Sequence, residues 1–228
     1  MALLDIKNMR VEFPSRRGHV TAVHDLSLSL KAGEILGEHA DKVRRGRETM
    51  YCDFAYYVGA TRENIADIHD LERLPGSAGI KVFIGSSTGN LLVDDEESLS
   101  KVIAALSRRA AFHSEDEARL IERKGVRREG DASSHTEWRD PEAALISTRL
   151  LLRLAHEHGK RVHVLHISTA EEMRLLAEHK DVASVEATPQ HLTLTTPEAY
   201  EKLGTLAQMN PPLRDATHQE GLWWGIEH

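Results

Sequence analysis

The spacing of hydrophobic residues at the start of the chain is that of β-strands. Residues 3–13 alternate loosely between apolar and polar side chains, and residues 21–34 repeat the pattern. A period of two is typical of half-buried strands, and Pro14 and Gly18 between the two segments are turn residues. Residues 1–37 are therefore predicted to form a short antiparallel β-hairpin.

Beyond Gly37 the pattern changes to short apolar segments that alternate with segments of helical spacing. Strands that alternate with amphipathic helices specify a parallel sheet in an α/β domain. About five such strands are too few for a closed eight-stranded barrel. The predicted strands cover residues 52–59, 78–85, 109–115, 161–168 and 182–189, and the predicted helices cover residues 61–74, 94–106, 141–159 and 169–180.

Two of the predicted helices carry clear terminal signals. The helix over residues 141–159 has Pro141 at its start and Gly159 at its end, as helices often do. The next helix opens with a capping box formed by Thr169 and Glu172, in which each residue satisfies a free amide of the first turn. These signals set the helix boundaries in the second half of the chain.

Three of the predicted strands carry a reactive or metal-binding side chain near the carboxyl end, followed by a polar turn. They are Lys81 in AGIKVFIGSSTG, His113 in AAFHSEDE and His166 in VHVLHISTAEE. In parallel α/β folds the carboxyl ends of the strands form the active-site face. The three side chains are therefore predicted to converge on one centre.

Each of these residues also has a structural interpretation. A single strand lysine usually extends its ammonium group to water, and His113 and His166 taken singly are more often structural than ligands. The apolar neighbours of Lys81, Val82 and Phe83 among them, indicate that both faces of its strand are apolar. A lysine without water around its ammonium group loses its proton more readily and can become nucleophilic or be modified.

The other polar residues on or near these strands are predicted to have structural roles. His163, predicted on the opposite strand face from His166, is expected to pack against helices. His156 and His158 lie near the end of a predicted helix, where an interaction with the helix dipole is sufficient. Residues 115–117 leave two alternatives open, partners of a metal ligand or the start of a helix, and the second is favoured.

Composition narrows the classes of function. The 228 residues carry a net charge of −7, from 29 basic and 36 acidic residues, which leaves no basic surface for nucleic acid or an anionic membrane. No apolar run approaches the roughly 18–20 residues of a membrane span. The single cysteine, Cys52, cannot form an internal disulfide and fits a reducing compartment. We therefore expect a cytoplasmic protein that binds neither nucleic acid nor membranes.

Several segments resemble, in order and spacing, the central part of a bacterial dihydroorotase. The resemblance runs from about residue 38 to about residue 225. Dihydroorotases are members of the amidohydrolase superfamily of distorted (β/α)8 barrels, so the resemblance implies an incomplete barrel of the TIM type. The segments are YCDFAYYVGATREN, AGIKVFIGSSTGNLLV, AAFHSEDE, HVLHISTAEE, SVEATPQHLTL and LGTLAQMNPPLRD.

The resemblance implies a metal-dependent reaction. Dihydroorotases interconvert N-carbamoyl-L-aspartate and dihydroorotate in pyrimidine biosynthesis, using zinc. Lys81 matches the family lysine that carbon dioxide carboxylates to bridge two metal ions, and His113 and His166 match histidine ligands of one of them. Asn210 and Arg214 fall in the family's NPP-x-R loop, which implies a part in substrate binding. The implied cofactor is zinc with a carboxylated Lys81, and the implied partner is a small-molecule substrate.

The chain departs from the dihydroorotase pattern at three places. It lacks the family's first strand, which carries an H-x-H metal pair followed by an arginine. It ends at GLWWGIEH, before the aspartate that ligates metal and transfers the proton, and Gln190 in TPQHL stands where the family usually has a histidine. Without a general acid or base, we expect a truncated hydrolase that is impaired or inactive by itself.

Residues 1–37 resemble a different family, the ATPases of oligopeptide-type ABC transporters. The Walker A loop that would follow is replaced by GEHADKV, so nucleotide hydrolysis is not implied. The predicted domains are an ABC-ATPase-like hairpin leader at residues 1–37 and a truncated dihydroorotase-like domain at residues 38–228. A fused or rearranged reading frame explains this junction.

Other interpretations remain open from the sequence. One is a non-catalytic dihydroorotase-like subunit that binds a partner such as aspartate carbamoyltransferase. Another is an ATP-binding transporter subunit, against which the missing phosphate-binding loop counts. An artificial or pseudogene product without function is a further alternative, and homo-oligomerisation is also open.

Overall fold

The chain forms two compact units, Met1–Tyr56 and Tyr57–His228. None of the helices within the ranges described is both long and apolar enough to cross a membrane. The computed structural model describes residues 2–15, 18–31, 35–87 and 90–228, with side chains for residues 37–87 and 90–228.

The first unit contains an antiparallel hairpin and one helix. Strand β1 covers Ala2–Ser15 and strand β2 covers Gly18–Lys31, and they pair along their length, so the predicted hairpin is confirmed. Helix α1 covers Ile35–Thr49 and runs through Gly37, where the two predicted domains meet. The domain boundary at that residue stays a prediction.

A five-stranded sheet, in the order β3-β4-β5-β6-β7, organises the rest of the chain. The neighbouring pairs from β4 to β7 are parallel, which requires crossover connections between consecutive strands. The predicted α/β fold with a parallel sheet is therefore confirmed. The strands are β3 (Tyr56–Gly59), β4 (Ser77–Phe83), β5 (Ala110–His113), β6 (Val162–Val164) and β7 (Ala183–Val185).

Helices occupy the connections and follow the last strand. The predicted helix over residues 61–74 is shorter than expected, with a 3-10 turn at Ile65–Asp67 before α2. The helices are α2 (Ile68–Leu71), α3 (Glu96–Ala105), α4 (Glu117–Glu122), α5 (Ser134–Trp138), α6 (Pro141–His158), α7 (Ala170–Ala177), α8 (Pro189–Thr193), α9 (Glu198–Leu203) and α10 (Ala216–Glu227).

The two faces of the sheet carry different side chains, because successive residues of a strand point to opposite faces. His163 is expected to pack against helices, but it shares a face with Lys81, and its Nδ1 lies 2.9 Å from the Oγ of Ser184. The predicted packing of His163 against helices stays a prediction. One face carries the fully buried Val82, Phe112 and Val164, and the other carries the aligned row Lys81, Ala111, His163 and Ser184.

The terminal signals of α6 act as predicted. Pro141 occupies the first turn, and the side chain of Asp140 accepts a hydrogen bond from the amide of Ala143 at 3.1 Å. At the other end Gly159 adopts a left-handed conformation, with φ of 59°, which costs glycine little because it has no Cβ atom. The helix thus ends where the chain turns toward β6.

Helices α7 and α10 pack closely through small residues. A Cβ atom added at Gly221 of α10 would lie 2.7 Å from the Cα of Ala170, the first residue of α7. Both residues are buried. The approach of the two backbones therefore depends on the missing side chain at Gly221.

We expect Gly221→Ala to destabilise the second unit by about 1–3 kcal/mol, since overpacking a close contact costs that much. Helix propensity alone predicts a change of the opposite sign, because alanine stabilises a helix interior by about 1 kcal/mol over glycine. Gly125→Ala is the control, because a Cβ atom there meets nothing within 4 Å. Denaturant unfolding measures both, and equal midpoints for the two variants would contradict this account of the contact.

Candidate metal centre

Lys81 lies on β4 with its amine among apolar groups. Its Nζ is 4.1 Å from the centroid of the Phe83 ring and 3.3 Å from the carbonyl oxygen of Val82. Burial lowers the pKa of Lys81 to about 7, and the nearby carboxylate of Glu186 opposes that shift only in part. Near neutral pH a large share of this amine is therefore uncharged, with its lone pair available.

His113 and His166 meet at the carboxyl end of the sheet. His113 is the last residue of β5, and its Nδ1 lies 3.1 Å from the Nε2 of His166, which follows β6 by two residues. The two rings are tilted by 71° with centroids 4.8 Å apart. The predicted convergence of these two histidines is what the structure shows.

His166 reaches this position through an unusual backbone conformation. Its φ is 39°, in the left-handed region, which residues other than glycine adopt rarely. Regular alternation along β6 would give His166 the orientation of Val164, on the face opposite Lys81. The left-handed turn directs its ring to His113 instead, and the amide of His166 donates to the Oε1 of Glu186 at 3.1 Å.

A buried carboxylate orients the His113 ring. The Nε2 of His113 lies 2.8 Å from the Oε2 of Glu115, and the Nε of Arg139 donates to the Oε1 of Glu115 at 3.1 Å. Burial by itself would raise the pKa of Glu115, but the hydrogen bond with His113 and the charge of Arg139 outweigh it and lower the pKa to about 2. An ionised Glu115 requires Nε2 to carry the proton, which leaves the lone pair of Nδ1 facing His166.

These donors fit a divalent transition-metal ion. Burial, followed by electrostatic interactions with His113 and Lys81, lowers the pKa of His166 to about 3, so its imidazole is neutral, the form that binds metal. Within the described side chains, the Nδ1 of His166 is buried and has no hydrogen-bond partner. Two imidazole nitrogens that face each other are donors suited to zinc.

The two residues of the predicted substrate loop lie in different surroundings. The Nδ2 of Asn210 donates to the Oγ of Ser86 at 3.3 Å, so Asn210 contacts the loop that follows β4. The guanidinium of Arg214 is buried, and it donates to the carbonyl oxygen of Arg139 and, from Nε, to the Oγ of Ser168 at 3.4 Å. The predicted substrate contacts of Asn210 and Arg214 stay predictions.

Two carboxylates, Glu115 and Glu186, are not among the residues predicted from the strand ends. Glu186 directly follows β7, so the rule that selects His113 and His166 could have selected it too. Among residues 115–117, Asp116 caps α4 by accepting from the amide of Arg119 at 2.8 Å, which confirms the favoured helix start. Glu115, however, contacts the ring of His113, and its position two residues after His113 could have indicated this contact.

A second buried acid, Glu172, lies near the start of α7. Glu172 accepts hydrogen bonds from the Oγ1 atoms of Thr148 and Thr169, each at 2.9 Å. The predicted capping box is present in part, since the Oγ1 of Thr169 accepts from the amide of Glu172 at 3.2 Å. Burial raises the pKa of Glu172 to about 7.

The chain is similar in sequence to two kinds of cyclic amidohydrolase. A dihydroorotase of Methanosarcina mazei is 32% identical over 199 residues, which cover 81% of this chain and 43% of that protein. An allantoinase of Escherichia coli is 29% identical, over 78% of this chain and 42% of that protein. No protein-family model matches the chain. The chain is therefore dihydroorotase-like.

Solved structures show which fold this dihydroorotase-like chain shares. An L-hydantoinase of Arthrobacter aurescens superimposes with a TM-score of 0.75 at 24% identity, over 82% of this chain and 44% of that one. An inactive dihydroorotase-like domain of a Chaetomium thermophilum CAD-like protein superimposes with a TM-score of 0.56 at 16% identity, over 87% of this chain and 49% of that one. The five-stranded sheet thus shares the fold of part of these barrels, which agrees with the predicted incomplete barrel.

The dihydroorotase-like chain spans less than half the length of these curated relatives. The predicted resemblance to dihydroorotase is confirmed. None of these relatives supports the resemblance of residues 1–37 to an ABC transporter ATPase, which stays a prediction.

Removing Glu115 should destabilise the second unit strongly. We expect Glu115→Ala to cost about 3–5 kcal/mol in the free energy of unfolding, because it leaves the buried guanidinium of Arg139 without its carboxylate. Glu122→Ala, at an exposed position of α4, is the control and should change stability by less than about 0.5 kcal/mol. If denaturant unfolding showed the same loss of unfolding free energy for both variants, the buried pair would contribute nothing to stability.

The raised pKa of Glu172 predicts a pH dependence of stability. Between its ordinary pKa of 4.5 and the folded value of about 7, the unfolded state releases a proton that the folded state keeps. The contribution of Glu172 to the unfolding free energy should therefore fall as pH rises through this window, by about 1.4 kcal/mol per pH unit at most. The lowered pKa of His166 contributes a slope of the opposite sign below pH 6.5, so the slope due to Glu172 is taken as the difference between the wild type and Glu172→Gln. Glu172→Gln should remove this slope and the exposed Glu178→Gln should keep it; an unchanged slope in Glu172→Gln would exclude Glu172 as its source.

Proposed function

We propose that this chain carries part of the zinc centre of a cyclic amidohydrolase that interconverts dihydroorotate and N-carbamoyl-L-aspartate. The observation that carries the proposal is the 3.1 Å approach of the His113 Nδ1 to the His166 Nε2 at the carboxyl end of a parallel sheet. Similarity to dihydroorotases over 81% of the chain supports the choice of substrate.

The proposed metal ligands are Lys81, His113 and His166. Zinc bound there would polarise the amide carbonyl of the substrate and lower the pKa of a bound water toward 7. Glu115 and Arg139 position the ring of His113, and Glu186 holds the backbone of His166. These contacts fix both imidazoles before any ligand arrives, so that little ordering is needed on binding.

The role proposed for Lys81 depends on its uncharged amine. The Nζ lone pair adds to the carbon of carbon dioxide, one C=O π pair moves to oxygen, and the nitrogen loses a proton to solvent. The product is a carbamate, which changes a cation into an anionic oxygen ligand. The apolar surroundings of the amine and its lowered pKa both favour this reaction at neutral pH.

The first test is hydrolysis of dihydroorotate by the purified chain, with zinc and bicarbonate supplied. We expect Lys81→Ala to abolish the activity, and Lys101→Ala to leave it unchanged, because Lys101 is an exposed lysine paired with Glu97 on α3. Allantoin is offered as a competing substrate, since allantoinases are also relatives. Greater turnover of allantoin than of dihydroorotate would reject the proposed substrate.

Inactivity of the wild-type chain toward every substrate would agree with the expectation of a hydrolase that is inactive by itself. It would reject catalysis by this chain alone and favour a non-catalytic dihydroorotase-like subunit. Carboxylation of Lys81 is tested separately, by the carbon NMR signal of a carbamate formed from 13C-labelled bicarbonate. That signal should be absent in Lys81→Ala and present in Lys101→Ala. A wild-type chain without it would reject the proposed modification.

A further inference from the structure

A second group of metal-binding side chains lies away from the centre described above. Within residues 37–87 and 90–228, one set of three His, Cys, Asp or Glu side chains has ligand atoms all within 4.8 Å of one another. It consists of His156, His179 and Asp181. His156 is on the last turn of α6, whereas His179 and Asp181 are in the connection between α7 and β7.

This set belongs to the opposite end of the sheet from His113 and His166. Asp181 precedes the first residue of β7 by two positions, and His156 precedes the first residue of β6 by six. The set therefore lies at the amino ends of the strands, whereas the candidate metal centre lies at their carboxyl ends. A metal ion there would be independent of the proposed reaction.

The geometry of the set is close to that of a metal site. The Nε2 of His156 lies 2.9 Å from the Nδ1 of His179, whereas the 3.9 Å contact with the Oδ2 of Asp181 is made by the other ring nitrogen of His156, Nδ1. One imidazole offers a single nitrogen to an ion, and one ligand atom from each of the three side chains lies within 4.8 Å of the other two. Two nitrogens bound to one tetrahedral zinc ion at 2.0–2.1 Å are about 3.3 Å apart. A small rotation of the two rings would therefore open the space that zinc needs.

The backbone holds the ligands from two directions. The amide of Gly159 donates to the carbonyl of His156 at 3.1 Å, at the end of α6. The carbonyl of His179 accepts from the amides of Val182 and Ala183, at 3.1 and 2.8 Å. Because both histidines are anchored in hydrogen-bonded turns, they are brought together by the fold without the help of an ion.

We propose that His156, His179 and Asp181 form a second site for a divalent transition-metal ion, of which zinc is the first candidate. Two imidazoles and one carboxylate are a ligand set that zinc accepts, with remaining positions open to water. The set is partly exposed, and His156 and Asp181 keep 41% and 66% of their side-chain surface accessible. An ion can therefore enter from solvent and bridge α6 to the connection before β7.

The proposal is tested by zinc titration of the full chain against a chromophoric chelator, which counts sites and measures each affinity. We expect His156→Gln/His179→Gln to lose one zinc equivalent relative to the wild type. His158→Gln should lose none, because His158 lies on the same helix but contacts Ser100 instead. Lys81→Ala should retain this equivalent, which separates the second site from the candidate metal centre.

Asp181→Asn provides a second, milder variant at an exposed position, with folding checked by circular dichroism. We expect its affinity for this zinc ion to fall by more than about tenfold, since even outer partners of metal ligands contribute about 10–100-fold. Zinc should also raise the Tm of the wild type and raise it less in both variants. If the wild type and the double variant bound the same number of zinc ions with the same affinities, the proposal would be overturned. The contact between the two imidazoles would then be a simple hydrogen bond.

Discussion

The arrangement of the candidate metal centre depends on one buried ion pair, Glu115 with Arg139. A carboxylate without water is costly unless a charged partner and hydrogen bonds compensate it. Arg139 supplies the charge and His113 the hydrogen bond, so Glu115 stays ionised and fixes which nitrogen of His113 carries the proton. The carbonyl of Arg139 in turn accepts from the buried Arg214, whose Nε reaches Ser168 beyond β6. The ion pair therefore connects the segment after β5, the segment before α6 and the segment after β6.

Removal of water determines the charge of the donors at this centre. Burial lowers the pKa of both Lys81 and His166, because a low-dielectric environment disfavours the cationic form of either group. Neutral amine and imidazole nitrogens are the forms that react with carbon dioxide or bind metal ions. Glu186 limits the shift at Lys81 and also holds the backbone of His166. The carboxylate of Glu186 thus interacts electrostatically with Lys81 and accepts a hydrogen bond from the backbone of His166.

The two ends of the sheet offer different kinds of site. At the carboxyl ends the histidines His113 and His166 are largely buried and supported by other charged groups. At the amino ends His156 and His179 are supported only by helix ends and turns, and Asp181 is exposed. The first arrangement offers donors that are largely shielded from water, and the second offers donors that solvent can reach.

The sequence by itself determined the elements whose signals are local, together with the residues that follow from strand topology. Pro141 and Gly159 predict the ends of α6, and the alternation of strands with helices predicts the parallel sheet. The rule for strand ends selects Lys81, His113 and His166. Only the tertiary structure decided that His166 turns left-handed toward His113, and that Glu115 faces Arg139, 24 residues away. Contacts of this kind depend on which segments pack together and how the backbone bends between them, and neither is encoded in the spacing of neighbouring residues.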